Sequence, residues 1–136
     1  MSNLEQTLSI VKPDAVERNL ENEIKNIFKD KGFNILKDKK IQITKNEAEE
    51  FYKVHETKPF YNDLCSYLSS GPIVVMILEK DNAILDNRAV MGATDPKKAD
   101  EGTIRKKFGI SIDKNSVHGS DSVENAKKEI NFFFKD

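Results

Sequence analysis

The sequence predicts one α/β (α+β) domain in which a four-stranded antiparallel sheet carries helices on one face. Three observations lead to this fold class. Strand and helix patterns alternate along the 136 residues, a length that suits a single domain over 1–136. The run Ile73 to Leu78 is entirely apolar, as is typical of a central strand buried on both faces. The element order is strand, helix, strand, helical hairpin, strand, helix, loop, strand, helix, which is that of a ferredoxin-like βαββαβ sandwich with an added hairpin.

The first half of the chain opens with a short strand, Thr7 to Val11, which Pro13 ends. Apolar residues spaced three and four apart then predict a helix that stops at Gly32. Phe33 to Ile43 is a strand pattern interrupted by charged residues. We therefore expect a long or bulged second strand that is half exposed.

A helical hairpin is predicted next. Thr44 and Glu47 have the spacing of a capping box, which predicts a helix start, and Pro59 suits the first turn of a second helix. The hairpin carries aromatic side chains at Tyr52 and Phe60. Such residues usually pack in the core. The alternative is a clamp for a planar base, since aromatic faces stack on any base.

The second half begins with a helix over Asn82 to Met91. From Gly92 to about Asn115 the apolar pattern is lost, which predicts a long irregular loop, and such loops inside compact domains are usually functional. A weak strand near His118 then leads into a last helix, Ser122 to Phe134.

Composition excludes several classes of function. Lys and Arg number 22 against 23 Asp and Glu, and a net charge of −1 gives no general attraction to nucleic acid or to an anionic membrane. The longest aliphatic run is far too short to span a bilayer. Cys65 is the only cysteine, so no intrachain disulfide can form. The N-terminal residues lack the pattern of a signal peptide. We expect a cytoplasmic protein with no membrane and no specific nucleic acid as partner.

One of only two histidines, His118, lies in an unusual context. Gly119 follows it and would remove a side chain that crowds a large ligand. Asp121 and Glu124 have the spacing of a capping box, so the imidazole would lie beside a helix N-terminus, which favours anions. A neutral imidazole beside a phosphate is a candidate nucleophile. A lone histidine is more often structural or solvated. The other histidine, His55, is expected to be solvated or a cation at a helix end.

The stretch Asn115-x-x-His118-Gly-Ser-Asp-Ser122 resembles the active-site motif of nucleoside diphosphate kinases, whose histidine is phosphorylated during turnover. Further segments resemble that family in its order and spacing, so the resemblance covers nearly the whole chain. These segments are Thr7 to Val16, Phe51 to Phe60, Asn87 to Pro96 and Gly102 to Arg105.

The resemblance implies a phosphotransferase with a ping-pong mechanism. His118 would attack the γ-phosphate of a nucleoside triphosphate, typically ATP, and then pass the phosphoryl group to a nucleoside diphosphate. Tyr52 would donate a hydrogen bond near the nucleophile. Glu129, supported by Ser120, would hold the ring nitrogen that does not attack. Glu129 as a solvated helix carboxylate is the competing interpretation.

The resemblance also implies how the nucleotide binds. The phosphates would be bound by cations and one hydroxyl, those of Lys12, Arg88, Thr94 and Arg105. Lys12 would also assist catalysis. Phe60 would stack on the base with Leu64 beside it, and Asn115 would bind the sugar hydroxyl. For Lys12 the competing interpretation is a surface lysine, and for Arg88 a cation that complements a helix C-terminus.

Stacking does not depend on the identity of the base, so the resemblance implies broad specificity for bases and sugars. Mg²⁺ would arrive on the nucleotide phosphates without direct protein ligands, and Asp121 would reach it through water at most. The family implies a homotetramer or homohexamer, and the short tail after the last helix leaves the choice open. Asn22 and the pair Lys106-Lys107 depart from common family residues, which affects surface charge and loop detail.

Two other functions compete with the kinase. An RNA-binding module shares the βαββαβ order and requires an aromatic strand motif. Lys31-Gly32-Phe33 matches the start of that motif, but Asn34 breaks it. A catalytically silent relative kept as a scaffold would be expected to lack His118 or a phosphate-binding cation, and the sequence retains them.

Overall fold

The computed structural model describes residues 4–112 and 114–134. Within them lies one four-stranded antiparallel sheet of order β2-β3-β1-β4. Its strands are β1 (Leu4–Val11), β2 (Asn34–Ile41), β3 (Ile73–Asp81) and β4 (Val117–Gly119). The strand order and the helices between the strands confirm the ferredoxin-like βαββαβ fold class.

Seven α-helices connect and cover these strands within the described ranges. They are α1 (Pro13–Glu17), α2 (Glu21–Asp30), α3 (Lys45–Phe51), α4 (Tyr61–Leu68), α5 (Ala83–Met91), α6 (Ile104–Phe108) and α7 (Val123–Phe133). Two short 3₁₀ helices, Lys53–His55 and Pro96–Lys98, lie in the connections. No helix of the described chain combines the length and the apolar character needed to cross a membrane.

The sheet separates two apolar clusters. Val74 and Met76 of β3 belong to the first cluster, with residues of α2, α5 and α6. Ile73 and Val75 belong to the second, with residues of the hairpin α3–α4 and of α7. Side chains alternate between the faces of a strand, so β3 is buried on both sides, as its unbroken apolar run predicts. The hairpin and α7 therefore cover the face opposite α2 and α5, so helices lie on both faces of the sheet and not on one as expected.

Local signals in the first half of the chain behave largely as predicted. The Thr44 side chain accepts a hydrogen bond from the Glu47 amide, and the capping box is complete at the start of α3. The register of β2 against β3 shifts between Ile35 and Lys37, which is the expected bulge. Pro59 precedes α4, which has Phe60 as its N-cap, so the first-turn position expected for Pro59 is wrong by two residues.

Two predictions in the second half are wrong. The stretch from Gly92 to Asn115 is not a structureless loop, because it contains a 3₁₀ helix and α6. The Thr103 hydroxyl caps α6 by accepting from the Lys106 amide, so a single polar residue starts a helix too short to show periodicity. The cap of α7 is Ser122, which accepts from the Asn125 amide, and not Asp121.

Candidate active site

Strand β4 holds His118 against the second apolar cluster. His118 pairs with Ile10 of β1, and paired residues face the same side of a sheet. The imidazole ring lies 5.5 Å from the Phe51 ring and 6.3 Å from the Tyr52 ring, measured between centroids. Its side chain is 20% exposed, so the ring is held by aromatic contacts and still reaches solvent.

A carboxylate on α7 fixes the orientation of that ring. His118 Nε2 lies 3.0 Å from Glu129 Oε1. Ser120 Oγ donates to the same oxygen at 2.8 Å and accepts from the amide of Leu8 at 3.2 Å. A carboxylate acceptor favours the tautomer with the proton on Nε2, which leaves the lone pair of Nδ1 free. Glu129 is therefore a partner of His118 and not a solvated helix carboxylate.

Lys12 lies at the end of β1 and contacts the chain just before β4. It is only 5% exposed, so the interpretation as a surface lysine is wrong. Its Nζ donates to Asn115 Oδ1 at 2.9 Å, and its amide donates to the carbonyl of Ser116 at 2.8 Å. Asn115 Nδ2 in turn donates to the carbonyl of Thr94 at 3.2 Å. Three predicted nucleotide-binding residues thus form one connected group.

Arg105 joins α5 to β4. Its two terminal nitrogens donate to the carbonyls of Gly92 and Val117, each at 2.9 Å. Burial, together with the charge of nearby Arg88, lowers the pKa of Arg105 to about 10. A partly buried cation is costly to keep charged, so the approach of an anion stabilises its charged form. Arg88 is exposed beside it in the last turn of α5.

These side chains open onto two adjacent clefts. One cleft, of about 260 Å³, is lined by His118, Tyr52 and Glu129. The other, of about 590 Å³, is lined by residues that include Arg88, Thr94, Lys98 and Arg105. Gly119 and Asp121 line both clefts. His118 and two of the three predicted cations, Arg88 and Arg105, thus line neighbouring clefts, whereas Lys12 and Asn115 line neither cleft.

Gly119 has a packing role in addition to the expected one. A Cβ at this position would lie 2.7 Å from Met91 Cε and closer still to Asn87 Nδ2. The packing of α5 against β4 is therefore enough to exclude a side chain here. Asn87 is fully buried, which makes this contact rigid.

The aromatic residues of the hairpin divide between the two predicted roles. Tyr52 is 5% exposed and packs in the second cluster, and burial together with Glu129 raises the pKa of its hydroxyl, which stays a donor at neutral pH. Phe60 is 46% exposed, so it is not a core residue. Leu64 packs against the second cluster, and neither Phe60 nor Leu64 lines the two clefts.

His55 connects Phe60 to the first cleft and was not predicted to do so. Its ring centroid lies 6.2 Å from that of Tyr52 and 6.1 Å from that of Phe60, and it lines the first cleft. His55 lies at the end of a 3₁₀ helix, as expected, and is half-buried. Lys98 in the second cleft was also missed, because its segment lacks periodicity. The adjacent basic pair Lys97-Lys98 was the available signal.

Metal-binding groups are sparse in the described part of the chain. Its histidine, cysteine and acidic side chains form no cluster of three or more that would hold a metal ion. Asp121 is a single exposed carboxylate where the two clefts meet, and its Oδ1 accepts from Asn125 Nδ2 at 2.6 Å. One such carboxylate suits an Mg²⁺ ion that keeps its waters and is carried mainly by phosphate oxygens.

Comparisons with known proteins agree on one family. The family model described as "Nucleoside diphosphate kinase" matches residues 5–136. The chain is 57% identical over 131 residues to the nucleoside diphosphate kinase of a Nitratiruptor species, covering 96% of each. It is 55% identical over 131 residues to that of Granulibacter bethesdensis, covering 96% of this chain and 94% of the relative.

Solved structures give the same result. The nucleoside diphosphate kinase of Aquifex aeolicus superposes with a TM-score of 0.95 at 41% identity, covering 97% of this chain and 96% of that one. That of Encephalitozoon cuniculi gives 0.93 at 35% identity, covering 97% and 90%. The chain belongs to the nucleoside diphosphate kinase family.

Proposed function

We propose that Nδ1 of His118 carries the phosphoryl group between two nucleotides. The chain is a phosphotransferase of its family, which moves the γ-phosphate of a nucleoside triphosphate to a nucleoside diphosphate by a ping-pong mechanism. The observation that carries the assignment is the 3.0 Å contact of His118 Nε2 with Glu129 Oε1. That contact fixes the protonated nitrogen and leaves Nδ1 as the nucleophile.

In the first half-reaction, the lone pair of Nδ1 forms a bond to the γ-phosphorus. The bond from that phosphorus to the β–γ bridging oxygen breaks, and a nucleoside diphosphate leaves. In the second half-reaction, a terminal β-phosphate oxygen of another nucleoside diphosphate attacks the phosphohistidine and restores Nδ1. Phosphoryl transfer needs mainly positioning and charge stabilisation. Lys12, Arg88 and Arg105 would supply the charge, and Tyr52 a hydrogen bond.

The phosphates would lie in the second cleft, and the base would lie against Phe60 outside both clefts. The exposed ring of Phe60 supports stacking on any base, and Leu64 would lie beside that base. Thr94 would contact a phosphate and Asn115 the sugar hydroxyl. Because none of these contacts reads base edges, we expect broad base and sugar specificity. Mg²⁺ would enter with the phosphates, and Asp121 would contact it through water.

Assembly and location are further parts of the proposal. We propose that the 136 residues form one domain that assembles as a homotetramer or homohexamer. Support comes from β2, which is an edge strand of the sheet, and from Leu36 on it, which is 45% exposed. The single, buried and free Cys65 supports a cytoplasmic location. Light scattering coupled to size-exclusion chromatography would report the mass, and cell fractionation the location.

A labelling experiment tests the chemistry. The protein is incubated with ATP labelled on the γ-phosphate and Mg²⁺, then denatured. We expect label that is labile to acid, stable to base and discharged by any nucleoside diphosphate. The matched control is His55→Ala, which removes the other histidine and should keep the label. Label that persists in His118→Ala, or no label in the natural sequence, would overturn the proposal.

A further inference from the structure

A buried carboxylate lies behind the phosphate-binding lysine. Asp14, in α1, is 5% exposed. Its Oδ2 accepts from Ser116 Oγ at 2.8 Å and from Arg18 Nη2 at 3.1 Å, and its Oδ1 accepts from the hydroxyl of Tyr67. Arg18 Nη2 also donates to the carbonyl of Phe108 at 2.6 Å. Asp14 thus ties together α1, the hairpin and the segment that leads into β4.

This network reaches the site through one residue. Ser116 lies directly between Asn115, which accepts from Lys12 Nζ, and Val117, where β4 begins. The carbonyl of Ser116 accepts from the amide of Lys12 at 2.8 Å, while its hydroxyl donates to Asp14. Main chain and side chain of Ser116 are therefore both held by the β1–α1 turn. Two residues further along, β4 carries His118.

The backbone of Ser116 would not adopt this conformation without support. Its φ is +74°, in the left-handed region that serine rarely adopts. Such a conformation persists only where surrounding contacts fix it, and it is concentrated at functional sites. Here the amide of Val117 donates to the carbonyl of Asn115 at 2.9 Å across Ser116, and the hydrogen bonds to Asp14 and Lys12 add support from the β1–α1 turn. A displacement of Ser116 would move Asn115 and Lys12 relative to His118.

We propose that Asp14 is a positioning residue for phosphoryl transfer, which holds Ser116 and thereby sets Lys12 and Asn115 at their working distance from His118. This inference rests on the proposed function of His118 and Lys12. Asp14, Lys12 and Asn115 all lie outside the lining of the two clefts. Asp14 would therefore act through the hydrogen bonds that join it to Ser116, Ser116 to Lys12 and Lys12 to Asn115, and not by touching the nucleotide. A carboxylate needed only for folding would not be coupled to Lys12.

A double-mutant cycle separates the two roles. Asp14→Asn keeps the shape of the side chain and removes its charge. Its effect on kcat/KM for phosphorylation of His118 by ATP is measured in the natural sequence and in Lys12→Ala, by single-turnover quench so that slow rates remain accessible. Asp38→Asn is the control. Asp38 lies on β2, is ion-paired with Lys25 of α2 and lines neither cleft.

We expect Asp14→Asn to lower kcat/KM by about tenfold or more in the natural sequence, because small misplacements of catalytic groups are costly. In Lys12→Ala the same change should lower it by less than about twofold, since coupled residues are not additive. Asp38→Asn should leave kcat/KM unchanged. Equal losses in both backgrounds, or a lower melting temperature with unchanged kcat/KM, would overturn the inference.

Two smaller substitutions give the answer if Asp14→Asn does not fold. Ser116→Ala and Tyr67→Phe each remove one hydroxyl that donates to Asp14. Each should lower kcat/KM in the natural sequence and have no effect in Lys12→Ala, and additive losses would contradict the inference. If the unsubstituted protein takes up no label from γ-labelled ATP, or if label remains in His118→Ala, the proposed function is refuted instead.

Discussion

Replacing Glu129 by alanine tests how much of the rate depends on the orientation of one ring. In the structure Glu129 Oε1 is within 3.0 Å of His118 Nε2 and accepts from Ser120 Oγ at 2.8 Å. A hydrogen bond to a charged group contributes about 1.5–3 kcal/mol. At about 1.4 kcal/mol for each factor of ten, its loss should slow phosphorylation of His118 by about 10- to 100-fold, which agrees with the usual cost of losing a partner that orients a histidine.

Rapid-quench labelling with ATP measures this rate directly, and a matched variant separates charge from orientation. Glu129→Gln retains an oxygen that can accept from Nε2 and from Ser120, so it should recover part of the rate that Glu129→Ala loses. Ser120→Ala removes only the hydroxyl and should cost less than Glu129→Ala. The reasoning would be refuted if Glu129→Ala were phosphorylated at the natural rate while its melting temperature was unchanged.

Three other outcomes follow from the structure. Gly119→Ala should destabilise the fold by about 1–3 kcal/mol, because the new methyl overlaps Met91 and overpacking costs that much. Chemical denaturation measures the loss of unfolding free energy when the slope against denaturant concentration is unchanged. An unchanged free energy of unfolding would contradict the packing argument. Phe60→Ala should raise KM for triphosphates of every base by a similar factor, whereas a base-dependent change would indicate edge recognition. The pKa values of all three tyrosines are raised from 10.0, chiefly by desolvation, so the tyrosinate absorbance of the folded protein should appear above the pH at which the unfolded chain titrates. The stability that the protonated tyrosines contribute to the fold is fully present below pH 10 and is lost as pH rises through their pKa values in the folded protein. Coincident titration curves of the folded and unfolded protein would exclude raised pKa values.

Long-range order was predictable from the sequence where the signal is repeated over many residues. The apolar run Ile73 to Leu78 specifies a strand buried on two faces, and a strand of that kind requires covering elements on both sides. The helix α6 was missed for the opposite reason. It has five residues, and its cap at Thr103 and its contacts with α5 determine it, so no periodic pattern exists to be read.

The sequence identified the residues of the site more easily than the contacts between them. A histidine motif and scattered cations can be identified in sequence, whereas the tautomer of His118 depends on Glu129, eleven residues away on another element. Asp14 was not identified at all, since an aspartate after Pro13 has the ordinary chemistry of a turn. Its burial and its partners at Tyr67 and Ser116 arise only when α1, the hairpin and β4 meet.

The short length of β4 would explain how the proposed nucleophile and the proposed phosphate-binding arginines could share one phosphate. His118 and Gly119 are successive residues of a strand, so they face opposite sides of the sheet. One side holds Tyr52 and Glu129, and the other holds α5 with Arg88. Were the strand longer, its backbone would separate these groups. Because β4 ends at Gly119, which lines both clefts and has no side chain, a phosphoryl group bound by the arginines as proposed would come within reach of Nδ1.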